Sequence, residues 1–184
     1  MTSPATSRPV SRPIHHIGYT VDDIAVAVDR WVTTFGAGPF FWFARNTAIT
    51  EARYYGKPCV LEQSVVVAKW NDIFVELVEL HEVSPPGLRQ ALVGNTTSAN
   101  HINHICYVAE DPEAEVQRLE AAGMPRFWHA PLGAFDVSYC DAWASLGHAI
   151  EVHQPTPDFV AIFEAIATAS TDWDGTDPLR ELPV

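Results

Sequence analysis

Two stretches of this chain share one alternation of apolar and polar positions. His15-His16-Ile17-Gly18-Tyr19-Thr20-Val21-Asp22-Asp23 sets a histidine at the head of a short apolar strand and an acidic pair behind it. Asn103-His104-Ile105-Cys106-Tyr107-Val108-Ala109-Glu110-Asp111 does the same. Helical spacing follows each stretch. Ile24, Val28, Trp31 and Val32 define one face of a first helix, with Asp22 or Asp23 as its N-cap and Gly36 or Gly38 as its stop. A second helix, predicted over 112–122, has Pro112 in its first turn, Val116 and Leu119 inward, and Gly123 at its end. After each helix come glycine, proline and aromatics, in Gly38-Pro39-Phe40-Phe41-Trp42 and in Gly123-Met124-Pro125-Arg126-Phe127-Trp128.

Each half closes on a strand with a glutamate among apolar residues: Ile73-Phe74-Val75-Glu76-Leu77-Val78 and His148-Ala149-Ile150-Glu151-Val152-His153. Two further strands are predicted inside each half, around 47–53 with 64–69 and around 128–131 with 137–142. The pattern is an α+β chain of two tandem βαβββ modules. A flexible arm at 1–13 precedes the first module at 14–83. The Pro- and Asn-rich segment 84–100 reads as a linker, and the second module takes 101–156. Residues 157–184 supply a C-terminal helix, near 158–170, and a surface tail.

Strand side chains alternate between faces. Glu76 therefore opposes Val75 and Leu77, His104 opposes Ile105 and Tyr107, and Glu151 opposes Ile150 and Val152. If the apolar neighbours pack under the helices, His16, Glu76, His104 and Glu151 line the concave face. Taken singly, a histidine at a strand start is most often a hydrogen-bonded core residue, and a glutamate in an apolar strand is often a guard against aggregation. Two of each at equivalent places of a repeat are hard to explain that way, because unpaired buried carboxylates are costly and a cation supplies the missing charge. Two imidazoles and two carboxylates suit one divalent ion per chain: Ni, Co, Zn, Mn or Fe.

Composition narrows the partners. A net charge of -12 argues against nucleic acid, which requires a concentrated positive surface. No apolar run approaches the roughly 20 residues that cross a bilayer, and residues 1–13 lack the apolar core of a secretory signal. Cys59, Cys106 and Cys140 stand far apart without CxxC spacing, which points to a reducing, cytoplasmic setting and away from thiolate zinc.

Taken with their order and spacing, the segments His16-Ile17-Gly18-Tyr19-Thr20-Val21-Asp22-Asp23, Val75-Glu76-Leu77, His104-Ile105-Cys106-Tyr107 and Gly147-His148-Ala149-Ile150-Glu151-Val152 resemble the vicinal oxygen chelate superfamily. That superfamily includes glyoxalase I, methylmalonyl-CoA epimerase, extradiol dioxygenases and the fosfomycin and bleomycin resistance proteins. The resemblance runs from about Ile14 to Pro155. It implies a half-open mixed β-barrel with helices outside, a homodimer, and metal ligands on the first and last strands of each module, which are His16, Glu76, His104 and Glu151. Extradiol dioxygenases resemble a plan of two histidines and one glutamate, whereas the glyoxalase and epimerase branch has a fourth ligand where Glu76 stands.

The resemblance thus implies a metal-dependent lyase, isomerase or epimerase acting through a metal-stabilised enolate, with Glu76 and Glu151 as candidates for proton transfer. The alternatives are an Fe(II) ring-cleaving dioxygenase, with Glu76 a non-ligand, and a non-catalytic small-molecule binding or resistance protein. The aromatic residues Phe40 to Phe43, Trp70, Phe127, Trp128, Phe135 and Trp143 read mainly as core. Some of them line a pocket if the small-molecule substrate is apolar or aromatic with a carbonyl handle, and no arginine cluster awaits a CoA phosphate or a glutathione carboxylate. His15 is expected on the face opposite His16, and His101 and His148 in loops. His153 shares a face with Glu151 and is a candidate to orient it. Cys106 reads as a small core residue, and Tyr54 and Tyr139 as packing residues with hydroxyls that can reach a pocket.

Overall fold

A computed structural model describes residues 11–94, 96, 98, 100–132 and 135–182. Most of the expected N-terminal arm lies outside the described residues. Eleven strands among these residues form one curled, unclosed sheet in the order β11-β2-β5-β6-β1-β7-β10-β9-β8-β3-β4. In chain order the elements are β1 (His16–Thr20), α1 (Ile24–Phe35), β2 (Phe40–Ala48), β3 (Arg53–Tyr54), β4 (Lys57–Pro58), β5 (Val60–Trp70), β6 (Ile73–Ser84) and α2 (Pro86–Val93). There follow β7 (His101–Val108), α3 (Pro112–Ala121), β8 (Arg126–Leu132), β9 (Phe135–Cys140), α4 (Trp143–Leu146), β10 (Ala149–His153), α5 (Pro157–Ser170) and β11 (Leu179–Glu181). The chain is mixed α+β, with antiparallel and parallel pairings in the one sheet.

Local chemistry sets the two main helices. The Asp23 carboxylate accepts from the Val26 amide at 2.9 Å, and Gly36 ends α1 in the left-handed region. Asp111 caps α3 in the same way through Ala114. Helix α1 buries Ile24, Val28 and Trp31 against Phe40, Val75 and Leu77, and α3 buries Val116 and Leu119 against Tyr107, Ile150 and Val152. One face of β6 and β10 is thereby taken up by the helices. The other face, with Glu76 and Glu151, looks into the curl of the sheet.

Three segments depart from the sequence reading. The second strand is Phe40–Ala48 and not 47–53, because the run Phe40-Phe41-Trp42-Phe43 is covered on both faces, Phe40 by the α1 core and Phe41 by α5. A continuous apolar run buried on both sides carries no alternation to betray it. Within 84–100 lies α2, which opens on Pro86 and buries Leu88 and Leu92 one turn apart. The expected surface tail contains β11, which pairs in parallel with β2 and covers what would otherwise be a sheet edge. Helix α5 buries Phe159, Phe163 and Ile166 against Phe41, Val65 and Phe74. No helix among the described residues is long and apolar enough to cross a membrane.

One charged group is part of the scaffold. Glu115 is buried on α3 and accepts from Tyr107 Oη at 2.9 Å, from Arg118 and from Arg12 Nη2 at 2.9 Å. The Arg118 bonds are the largest influence and outweigh burial, so that the carboxyl falls to about 2. A depressed carboxyl stabilises the fold above its unfolded value of about 4.3, and loses that contribution as pH falls toward its folded value. Because Arg118 is half-exposed, the contribution is on the order of 1–2 kcal/mol and not the full shift. Denaturant titrations of Glu115→Gln should show that deficit at pH 7. The gap between wild type and variant should shrink between pH 5 and pH 2.

Candidate metal centre

Register brings four side chains together. Gly18 on β1 is level with Glu76 on β6 and His104 on β7, and His104 is level with Ala149 on β10. One step along the same face, two residues away on each strand, His16 is level with Phe74 on β6 and Cys106 on β7, and Cys106 with Glu151 on β10. The four polar residues thus occupy two adjacent rows as a checkerboard. Between Glu76 and His104 sits Gly18, and between His16 and Glu151 sits Cys106. A small residue stands two places after each histidine.

Gly18 is small for a visible reason. A Cβ at this position would collide with the His104 ring itself. The Cys106 thiol hydrogen-bonds Glu151, and burial, followed by the Glu151 charge, holds it well above the usual thiol range. It is a protonated donor and not a nucleophile.

The ligand-type atoms converge. His16 Nε2 lies 3.1 Å from His104 Nε2 and 2.7 Å from Glu151 Oε2. His104 Nε2 lies 3.2 Å from the same oxygen. Glu76 stands further off, with Oε2 at 3.9 Å from His16 Nε2 and Oε1 at 3.8 Å from His104 Nε2. The two histidines are essentially fully buried at 2% and 0% exposure.

The far side of each ring is held. His104 Nδ1 donates to Asn103 Oδ1 at 2.7 Å, with Tyr139 Oη at 3.3 Å. His16 Nδ1 meets His15 Nδ1 at 3.0 Å. Burial, with the neighbouring His16, lowers His15 to about 3, so its neutral ring can accept the His16 Nδ1 proton. With Nδ1–H on both rings, each neutral imidazole turns an Nε2 lone pair inward. The two lone pairs and one carboxylate oxygen, Glu151 Oε2, then face one another at 2.7–3.2 Å. Ligands at about 2.1 Å from one ion stand about 3.0 Å apart at right angles, so these spacings suit a shared cation.

Charge points the same way. Burial acts to lower His104, yet the Glu151 and Glu76 carboxylates outweigh it and raise the group. The centre draws positive charge to itself. Burial would also raise Glu151, but His104, His153 and His16 hold it well below the usual carboxylate range. Glu76 behaves oppositely: burial dominates and raises it. Its carboxylate accepts no hydrogen bond among the described residues, whereas Glu151 is also met through Oε1 by His153 Nε2 at 3.1 Å. Ligand-type atoms of His16, Glu76 and His104 all lie within 4.8 Å of one another, and so do those of Cys106, Glu151 and His153. The donor set fits a divalent cation.

Other sequence candidates are sorted by position. His153 adjoins the centre, against Phe159. His15 is not on the opposite face. It precedes β1, so strand alternation does not govern it, and its ring packs among Phe74, Phe159 and Phe163 beside His16. Tyr139 reaches His104, but Tyr54 packs against Tyr55 and the α2 region, away from the centre. His101 begins β7 and binds the Ser98 carbonyl, while His148 stands just before β10 and meets the Ala149 carbonyl, both outside the cluster. Phe43 and Trp128 line the adjoining cavity, of about 330 Å³, and Phe40 and Phe127 are core.

Sequence reasoning missed Gln63, Asn103, Phe159 and Phe163 in the cavity wall. The spacing of the two phenylalanines, one helical turn apart in the C-terminal helix, is the signal that could have found them.

A curled sheet of repeated strand–helix units with two histidines and two glutamates facing its hollow defines a class of metal-site scaffold. The chain belongs to the Glyoxalase/Bleomycin resistance protein/Dioxygenase superfamily, whose family model matches residues 15–140. Among solved structures, a hypothetical protein from Bacillus halodurans aligns with a TM-score of 0.56 at 14% identity, over 80% of this chain and 96% of that one. Methylmalonyl-CoA epimerase from Mycobacterium tuberculosis aligns with a TM-score of 0.54 at 14% identity, over 80% and 91%. A methylmalonyl-CoA epimerase in complex with methylmalonyl-CoA and ammonium gives 0.50 at 14% identity, over 79% and 96%. Identities this low establish a shared fold. No curated protein matches the chain by sequence.

Gly18→Ala tests the close approach at the centre. The added methyl should lower stability by about 1–3 kcal/mol, as overpacking does, and turn the His104 ring off Asn103. Denaturant melts and the His104 imidazole nitrogen resonances read these two effects.

Proposed function

We propose that this chain is a divalent-metal-dependent enzyme of the glyoxalase type, with His16, Glu76, His104 and Glu151 as ligands. Its action is that of an isomerase, epimerase or lyase on a small, apolar or aromatic carbonyl compound. The observation that carries this reading is the meeting of two imidazole Nε2 atoms and Glu151 Oε2 within 2.7–3.2 Å, with Glu76 beside them, at the wall of a cavity. A cation bound there supplies a Lewis acid that polarises a substrate carbonyl and stabilises the negative charge developing on its oxygen.

The protein's own groups divide the remaining work. Glu151 is held by His153 at Oε1 and by the Cys106 thiol, and it stays ionised, which suits a permanent ligand. Glu76 is loosely held and raised by burial, which suits a carboxylate that leaves its place and takes a proton from the carbon beside the carbonyl. Two carboxyls driven apart by their surroundings are the usual mark of divided acid–base roles. Asn103 and His15 hold the rings. The apolar wall excludes water, which strengthens each of these interactions.

The tighter spacing of His16, His104 and Glu151, relative to Glu76, favours one second reading: a facial set of two histidines and one carboxylate, as in Fe(II) oxygenases. Metal content separates the two. Protein purified without chelators should contain about one Ni, Co, Zn or Mn per chain, lost in both Glu76→Ala and His104→Ala. Iron retained in Glu76→Ala and lost in His104→Ala would establish the dioxygenase arrangement. Wild type that holds no metal, and takes none up on reconstitution, would leave a binding protein.

A further inference from the structure

We infer that the cavity takes an elongated, uncharged, largely apolar molecule with an oxygen at each end, one directed to the metal centre and the other to the Gln63 carboxamide. The inference rests on the metal-centre reading for its near end and on the cavity wall for the rest.

The cavity runs along two paired strands. Glu76, Val78 and Leu80 of β6 line it, and so do Val65, Gln63 and Leu61 of β5, each set spaced by two residues and so sharing a face. Val67 is level with Glu76, and Gln63 is level with Leu80. At about 3.3 Å per residue, Gln63 therefore lies about 13 Å along the strand from the Glu76 level.

The far end is polar but neutral. Thr47, level with Gln63 on β2, has its hydroxyl engaged with the Arg45 backbone. The Gln63 carboxamide has no hydrogen-bond partner among the described residues, so its two donors and its acceptor are open to a guest. Elsewhere in the wall, Asn103 is occupied by His104 and the Leu92 carbonyl, and Tyr139 by His104, while the buried Trp128 indole N–H has no hydrogen-bond partner among the described residues.

Charge and size set the class. No lysine or arginine lines the cavity among the described residues. Its acidic groups are Glu76 and Glu151, which one divalent ion neutralises. An anionic guest would meet no counter-charge in the wall, and burying it unpaired is costly. This sets the cavity apart from one built for a CoA thioester such as methylmalonyl-CoA, the molecule held by one of the aligned structures. The volume of about 330 Å³ has room for about eleven waters at ~30 Å³ each, which corresponds to a one- or two-ring skeleton.

The probes are 2,6-dihydroxynaphthalene, 2-naphthol and 2,6-naphthalenedicarboxylate, titrated calorimetrically into metal-loaded wild type and Gln63→Leu. The dihydroxy compound should bind wild type at least about tenfold more tightly than the dicarboxylate. Gln63→Leu should weaken the dihydroxy compound by about 3- to 10-fold, the range of a lost neutral hydrogen bond, and leave 2-naphthol within about twofold. Equal binding of the dicarboxylate, equal effects of the variant on both hydroxy probes, or no binding of any probe would overturn the inference. Metal content of the same samples keeps the failures apart. A protein that holds its metal but fails with the probes loses only this inference, whereas wild type without metal loses the metal centre and the near-end contact with it.

Discussion

Four electron-rich groups are forced together in the middle of this sheet, and much of the structure serves to keep them there. Two Nε2 lone pairs and a carboxylate oxygen within 2.7–3.2 Å repel one another unless positive charge lies between them. In a low-dielectric interior that repulsion is large. The fold meets it from behind, through Asn103 and His15 on the rings and through Cys106 and His153 on Glu151. It also meets it from below, where the opposite faces of β6, β7 and β10 are packed under α1 and α3. Side chains held this way have little freedom to relax apart, which is what a preorganised site requires.

The two halves reach this arrangement by the same device. In each, the first strand carries a histidine, a small residue follows two places later, and a glutamate comes from the last strand. Gly18 lets His104 lean across β1, and Cys106 leaves room between His16 and Glu151. The repeat therefore explains more than the proposed ligand set, because each half supplies the gap that the other half's histidine or glutamate needs. The symmetry breaks at the carboxylates. Glu151 is tied down and driven toward the ionised form, and Glu76 is neither.

That symmetry is also why the centre was legible in the sequence. His16, Glu76, His104 and Glu151 stand at equivalent points of two similar patterns, and strand alternation puts them on one face. The helices were legible through spacing, through the Asp22-Asp23 pair ahead of α1 and through Pro112 in the first turn of α3. What escaped notice lacks a local signature. The head of β2, Phe40-Phe41-Trp42-Phe43, is covered on both faces and shows no alternation; a short helix opening on Pro86 looks like a turn; and β11 exists because β2 offers it an edge. Gln63 was invisible for a similar reason. A glutamine in a strand signals nothing until the register places it along the same wall as Glu76.

Helix α5 ties the cavity to the centre. Phe159 and Phe163 line the hollow, and the same rings pack on His15, while Phe159 also lies against His153. Those two histidines are the supports of His16 and of Glu151. The residues that would size a guest are thus in contact with the residues that orient the proposed ligand side chains. A guest that displaced either phenylalanine would disturb the supports, so the helix couples what fits in the cavity to how well the centre is held. The elongated shape inferred for the guest follows the long axis of the strands and leaves α5 in place.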